Sequence, residues 1–246
     1  MSGNYKLLIG YDGTGYSGWE HKDGRDTIQG KLQAVLTRLS GGEVSVIGAG
    51  RTDAGVHAKG MVANVHLDVE LSPEQIRDYI NRYLPETITV YEVREAAERF
   101  HARYHATGKT YCYTLWDGKA KPVFERKYVW KLEQRPDVVA MKAAAEYLLG
   151  IHDFAGFCKN PQKKKSTVRT IDRIAIEREQ EKLKVIVHGD GFLHHMVRII
   201  VGTLVEIGLG HMEPAQVKQI LETGDRSLAG PTAPAQGLCL MEIDYQ

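Results

Sequence analysis

The sequence predicts a mixed α+β fold built as two ferredoxin-like, split βαβ halves joined in one mostly antiparallel sheet with a central cleft. Three observations carry this. Short β-branched runs alternate with amphipathic helical stretches in the order β-α-β-β-α-β, a similar order recurs in the second half, and no long apolar run interrupts either. With 246 residues, 43% hydrophobic and 26% charged, the chain is long enough for two closely packed halves and has ordinary globular composition. The expected division is 1–105 and 106–246.

In the first half, "YKLLIGY" from Tyr5 and "EVSVIGA" from Glu43 have strand density, and "MVANVHLD" alternates Met61, Ala63, Val65 and Leu67 on one face. Between the first two, Ile28, Leu32, Val35, Leu36 and Leu39 form one helical stripe, with Asp26 and Gln29 expected at its cap. "SPEQ", Ser72 to Gln75, opens a second helix with a capping residue, Pro at the first helical position and Gln at the third. "TITVYEV" closes the half as a strand. In the second half, "KTYCYTLW" reads as a strand and 137–149 as a helix ending at Gly150. "TIDRIAIERE" and "KLKVIVHG" read as a strand pair, followed by helices over 192–209 and 214–223 and a final strand, "GLCLMEIDY".

Charge and cysteine usage exclude several classes. Thirty-two Lys and Arg against 31 Asp and Glu leave a net charge of +1, so a polyanion must be met by a local basic patch. Cys112, Cys158 and Cys239 are odd in number and scattered, which argues against a disulfide framework and a cysteine-based zinc site. Neither a signal peptide nor a membrane span is indicated, and the expected location is the cytoplasm. Ten histidines raise a metal question, but His194 and His195, adjacent on a helix, would diverge by about 100°, and no Cys or acidic ligand has fitting spacing. No metal or cofactor is expected.

Candidate chemistry gathers in three places. "IGAGRTDAGVHAKG" puts Arg51, Asp53 and His57 among glycines just after a strand, where a turn can project a carboxylate or merely satisfy its own backbone. In "FLHHMVRIIVGTLVEIGLG" apolar residues cover most of a helix, leaving His194, His195, Arg198, Gly202 and Glu206 as one narrow stripe. An arginine there keeps its charge and needs an anion or carbonyls, with Glu206, a neighbouring carbonyl and Asp53 as the candidates. Paired with Arg198, Asp53 would stay anionic and could act as nucleophile or base. Basic residues form two sets: Lys159, Lys163, Lys164, Lys165 and Arg169 in "CKNPQKKKSTVRT", and Arg94, Arg99, Arg103 and Lys109 interleaved with Phe100, Tyr104 and Tyr111. Each reads as a solvated charged surface or as a grip on phosphates.

"GRTDAGVHA" resembles the signature of the tRNA pseudouridine synthase A (TruA) family, and further stretches agree in order along nearly the whole chain: "YDGTGYSGW", "NRYLP", "FHARYHATGKTYCY", "LLGIHDFAGF", "FLHHMVRIIVGTLVEIG" and "AQGLCLMEIDY". The resemblance implies the pseudouridine synthase fold and conversion of uridine to pseudouridine at positions 38, 39 and 40 of the tRNA anticodon stem-loop, by a homodimer without cofactor. It implies that Asp53 is the nucleophile, that Arg51 helps displace the target base, that Tyr111 stacks on the uracil and that Arg198 pairs with the aspartate. Members usually carry Gln after Gly-Trp, where this chain has Glu20. A noncatalytic RNA-binding protein and a glycoside hydrolase are the rival readings; the hydrolase needs a second carboxylate, and the available one, Asp12, sits in a stretch that reads as a turn.

Overall fold

The computed structural model describes residues 2–161 and 165–246. Two compact units divide it: residues 1–107 together with 239–246, and residues 108–238. Each has a layer of helix on a mostly antiparallel sheet, so the mixed α+β class is observed in both.

The first unit is organised on β3 (His57–Asp68), whose residues are buried on both faces along most of its length. β1 (Ser2–Tyr11) runs antiparallel to β3, with Tyr5 opposite Val65 and Leu7 opposite Ala63, and antiparallel on its other side to β4 (Ile88–Ala96). β2 (Val46–Gly48) is only three residues long and pairs with the distal part of β3, opposite Val65, Asn64 and Ala63. α1 (Ile28–Ser40) turns Ile28, Leu32 and Leu36 into the core. Its cap is Thr27 rather than Asp26: the threonine hydroxyl accepts from Gly30 N, while Asp26 reaches Lys31 at 2.8 Å. Gln29 is used elsewhere, accepting from His21 N and donating to Val46 O. α2 (Pro73–Tyr83) has the expected capping box between Ser72 and Gln75 and buries Ile76 and Ile80.

In the second unit β5 (Ala106–Trp116) pairs antiparallel with β9 (Lys182–Gly189), β9 with β8 (Val168–Glu179), and β8 with the short edge strand β7 (Gly150–Asp153). β6 (Trp130–Lys131) adds two residues parallel to the end of β5. α3 (Val138–Glu146) is capped by Asp137, whose side chain accepts from Val139 N and Ala140 N. It stops short of 149, and Gly150, at φ 99°, instead opens β7. α4 (Met196–Gly208) is buried at all but its polar stripe, as its apolar circumference predicts, and α5 (Gln216–Thr223) ends at left-handed Gly224.

The last strand, β10 (Leu238–Tyr245), closes the second half in sequence order but pairs with the first unit. Cys239 and Leu240 lie parallel to His57 and Ala58 at the start of β3. Tyr245 holds the far end there, donating its hydroxyl to Ala102 O and lying 5.4 Å from the Phe100 ring.

Candidate active site

Asp53 sits in a loop, residues 49–56, between β2 and β3, and most of what shapes the loop comes from residues 11–19. Thr52, the residue before the aspartate, is fixed twice: its carbonyl accepts from Trp19 N at 3.1 Å and its hydroxyl lies 2.8 Å from the Tyr11 hydroxyl. Trp19 and Tyr11 are themselves buried, 2% and 5% exposed. After the aspartate, Val56 N donates to Asp53 O and Gly55 takes φ 78°, closing the turn. The approach of the two segments requires glycine. A Cβ on Gly13 would lie 2.1 Å from Val56 O, and one on Gly18, already at φ 98°, would lie 2.6 Å from Thr52 O. The half-buried Asp53 thus stands on backbone braced by residues 11–19.

His57 belongs to this brace. Its Nδ1 lies 3.0 Å from Gly13 N and 3.1 Å from Asp12 Oδ1. It accepts from the first when unprotonated, or donates to the second when protonated, but not both at once. Asp12 also accepts from Thr14 N at 2.9 Å, the turn that its sequence suggests. Arg51, 63% exposed, is paired with Glu20 at 2.6 Å.

In the second unit, Arg198 lies on the polar stripe of α4 and donates from Nε to Ala233 O at 2.8 Å, while Ala233 N donates back to Arg198 O. The carbonyl among the sequence candidates is therefore one of its partners; Glu206 faces His211 at 2.9 Å instead. The stripe itself begins later than expected. His195 takes the left-handed conformation, φ 62°, immediately before the helix, so His194 and His195 precede it, and His194 exchanges hydrogen bonds with Lys159. Residues 229–236, between the last helix and the last strand expected from the sequence, form the strap that holds Arg198. Gly202 lets the strap approach, for a Cβ there would meet Pro231 O at 1.8 Å, and Thr203 accepts from Gly230 N. The repeated Gly and Pro of "AGPTAPAQG" were the available signal.

Tyr111, on β5, is 9% exposed and lies edge-on to Phe192 with ring centroids 5.3 Å apart. Two residues on, Tyr113 is fully buried and donates to Pro234 O at 2.7 Å, which ties the same strand to the same strap. Burial pushes the Tyr113 phenol far above the ordinary tyrosine range, the Arg198 guanidinium pulling the other way.

Of the basic residues, Lys165 is exposed and Arg169 donates to the carbonyls of Ser166 and Val168, tying down the end of its loop. Lys163 and Lys164 lie outside the described residues. In the other set Arg99, Arg103 and Tyr104 are exposed, Arg94 pairs with Glu92, and Phe100 packs against Tyr245. His101 and His105 brace that turn, each Nδ1 accepting a backbone N–H.

The description of the tRNA pseudouridine synthase family matches residues 8–105 and 144–246, which include the braced Asp53 loop and the Arg198 helix. The chain belongs to the tRNA pseudouridine synthase family. Among curated relatives, tRNA pseudouridine synthase A of Bacillus sp. (strain KSM-64) is 47% identical over 243 residues, 98% of this chain and 99% of the relative. tRNA pseudouridine synthase A 2 of Clostridium perfringens and tRNA pseudouridine synthase A of Clostridium kluyveri are each 43% identical over 242 residues, again 98% and 99% of the two chains. The protein is thus an enzyme of a family that isomerises uridine to pseudouridine. Arg51, Asp53, Arg169 and Arg198 fall within the segments that match the tRNA pseudouridine synthase family, and Tyr111 falls between them. Among the described residues no helix is long and apolar enough to cross a membrane.

Proposed function

We propose that this enzyme converts uridine to pseudouridine at positions 38, 39 and 40 of the tRNA anticodon stem-loop, acting in the cytoplasm as a homodimer, with Asp53 as the nucleophile. The supporting observation is the Asp53 loop: in a chain of this family, an aspartate stands on backbone braced from both sides by residues 11–19. Such bracing is what a reacting group needs, because rate depends on the placement of the carboxylate relative to the sugar.

The chemistry is an isomerisation, so atoms balance within the nucleotide. The Asp53 carboxylate adds to C1′ or removes the C2′ proton, and the N1 to C1′ bond breaks. The detached uracil turns, C5 bonds to C1′ as the aspartyl ester to C1′ breaks or as C2′ regains its proton, and the C5 proton leaves while N1 gains one. Both routes need an anion beside the sugar and exclusion of water from the detached base. A base within a stem must first be flipped out, at a cost of a few kcal/mol. Tyr111 stacks on the flipped uracil, a contact typically worth about 1–3 kcal/mol. Arg51 helps displace the base, Arg198 pairs with Asp53, and Lys163, Lys164, Lys165 and Arg169 contact phosphates. Residues 1–105 accordingly present the aspartate loop, and residues 106–246 the tyrosine strand, the basic loop and the arginine helix.

The test is tritium release from a tRNA transcript carrying [5-³H]uridine. The wild-type enzyme is expected to release tritium to water and Asp53→Asn to release none; release by Asp53→Asn at the wild-type rate would overturn the assignment.

A further inference from the structure

We propose that Glu20 is a positioning residue for Arg51, orienting its guanidinium before RNA arrives. The inference rests on the reading of Arg51 as a side chain that engages the RNA. Glu20 Oε1 lies 2.6 Å from Arg51 Nη2, an ion pair between two side chains that remain substantially exposed.

The backbone makes this juxtaposition independent of either side chain. Trp19 N donates to Thr52 O and Trp19 O accepts from Gln29 N, which fixes the residue before Glu20 both to the Asp53 loop and to α1. His21 N donates to Gln29 Oε1 at 2.7 Å, which fixes the residue after it. Thr52 is the neighbour of Arg51, so the glutamate and the arginine start from anchored positions on two loop segments of the same brace.

An exposed ion pair adds little to folding, so its consequence lies in orientation. A free arginine spreads over many rotamers, and a fixed carboxylate at one end selects among them. The contact engages Nη2, one of three guanidinium nitrogens, so Arg51 can keep Glu20 while another edge meets an RNA acceptor. Glutamine at position 20 would offer a neutral acceptor and hold the arginine less firmly.

The experiment is single-turnover tritium release with enzyme in excess over [5-³H]uridine tRNA, alongside tRNA affinity, for Glu20→Ala, Glu20→Gln, Arg51→Ala and the Glu20→Ala/Arg51→Ala pair. The proposal expects Glu20→Ala to lower the saturated rate by about tenfold with little change in affinity, Glu20→Gln to recover part of it, and Glu20→Ala to cost nothing more once Arg51 is gone. A saturated rate unchanged in Glu20→Ala overturns it, as does the same loss in the Arg51→Ala background. Tighter binding at an unchanged rate also overturns it, making Glu20 a charge that merely repels RNA. A normal rate and affinity in Arg51→Ala would refute the role given to Arg51 itself, whereas a slow Arg51→Ala beside a normal Glu20→Ala refutes the inference alone. Thermal melting at the wild-type temperature establishes that each variant is folded.

Discussion

Arg198 and Glu20 mark the two limits of what single residues disclose. A guanidinium inside an otherwise apolar helix announces itself in the sequence, because its charge must be met, and the Ala233 carbonyl meets part of it. Glu20 gives no such signal, since its pairing with Arg51 depends on two segments about thirty residues apart being bonded through Trp19 and Thr52. The loop that carries Asp53 was legible as a glycine-rich turn after a strand, whereas the close approach of residues 11–19, which Gly13 and Gly18 permit, was not. Arg198→Ala is expected to reduce turnover at least tenfold at pH 7 with tRNA affinity largely kept, measured by tritium release; unchanged turnover from pH 5 to 8 would remove the arginine from the mechanism. Tyr111→Phe preserves the ring, so its tRNA dissociation constant is expected within about threefold of wild type, and a large rise would contradict stacking as the tyrosine's main role. Tyr113 provides a pH signature. Burial raises its phenol above the ordinary value of 10.0, so the folded state prefers the neutral form. That contribution is intact below pH 10 and is lost as the pH rises beyond it, through preferential ionisation of the unfolded chain. The melting temperature of wild type should therefore fall more steeply between about pH 9 and 11 than that of Tyr113→Phe, whatever the offset between them at pH 7.

At the scale of elements, strong periodicity located α1, α2, α4 and α5, and capping chemistry located the start of α2. Boundaries failed where backbone conformation, which periodicity does not report, intervened. His195 in the left-handed region delays α4, Gly150 does the work of opening β7, and Thr27 takes the cap from Asp26. β6 and β7, of two and four residues, are too short to show alternation. The strap over α4 escaped because it is irregular up to a single 3-10 turn at Ala235–Gly237 and shows no periodicity; its position depends on Gly202 and on the exchange between Arg198 and Ala233. Gly202→Ala places a methyl against Pro231 O and is expected to cost on the order of 1–3 kcal/mol. Its melting temperature should drop by several degrees while that of Gly42→Ala, where a methyl meets nothing within 4 Å, changes little. Equal melting temperatures would show that the strap yields without cost.

For the whole molecule, the order of strands and helices was enough for the α+β class, since each amphipathic element needs a partner layer. The return of β10 to β3 was not legible, because a parallel pairing between Cys239 and His57 leaves no local trace in either segment. A net charge of +1 likewise says nothing about RNA until the cations are located. If the loop around Lys165 grips phosphates, Lys163→Gln/Lys164→Gln/Lys165→Gln should flatten the dependence of log K on log salt by about two to three units, with an unaltered slope returning the loop to a solvated surface. The central claim is that this enzyme uses Asp53 to isomerise anticodon-stem uridines, and the measurement that addresses it most directly is carbodiimide mapping of pseudouridine. The substrate is an unmodified tRNA transcript with uridines at 38, 39 and 40, treated with wild type or Asp53→Ala. The account predicts reverse-transcription stops at those positions with wild type and none with Asp53→Ala. Stops elsewhere in the tRNA, or the same stops with both proteins, would contradict it.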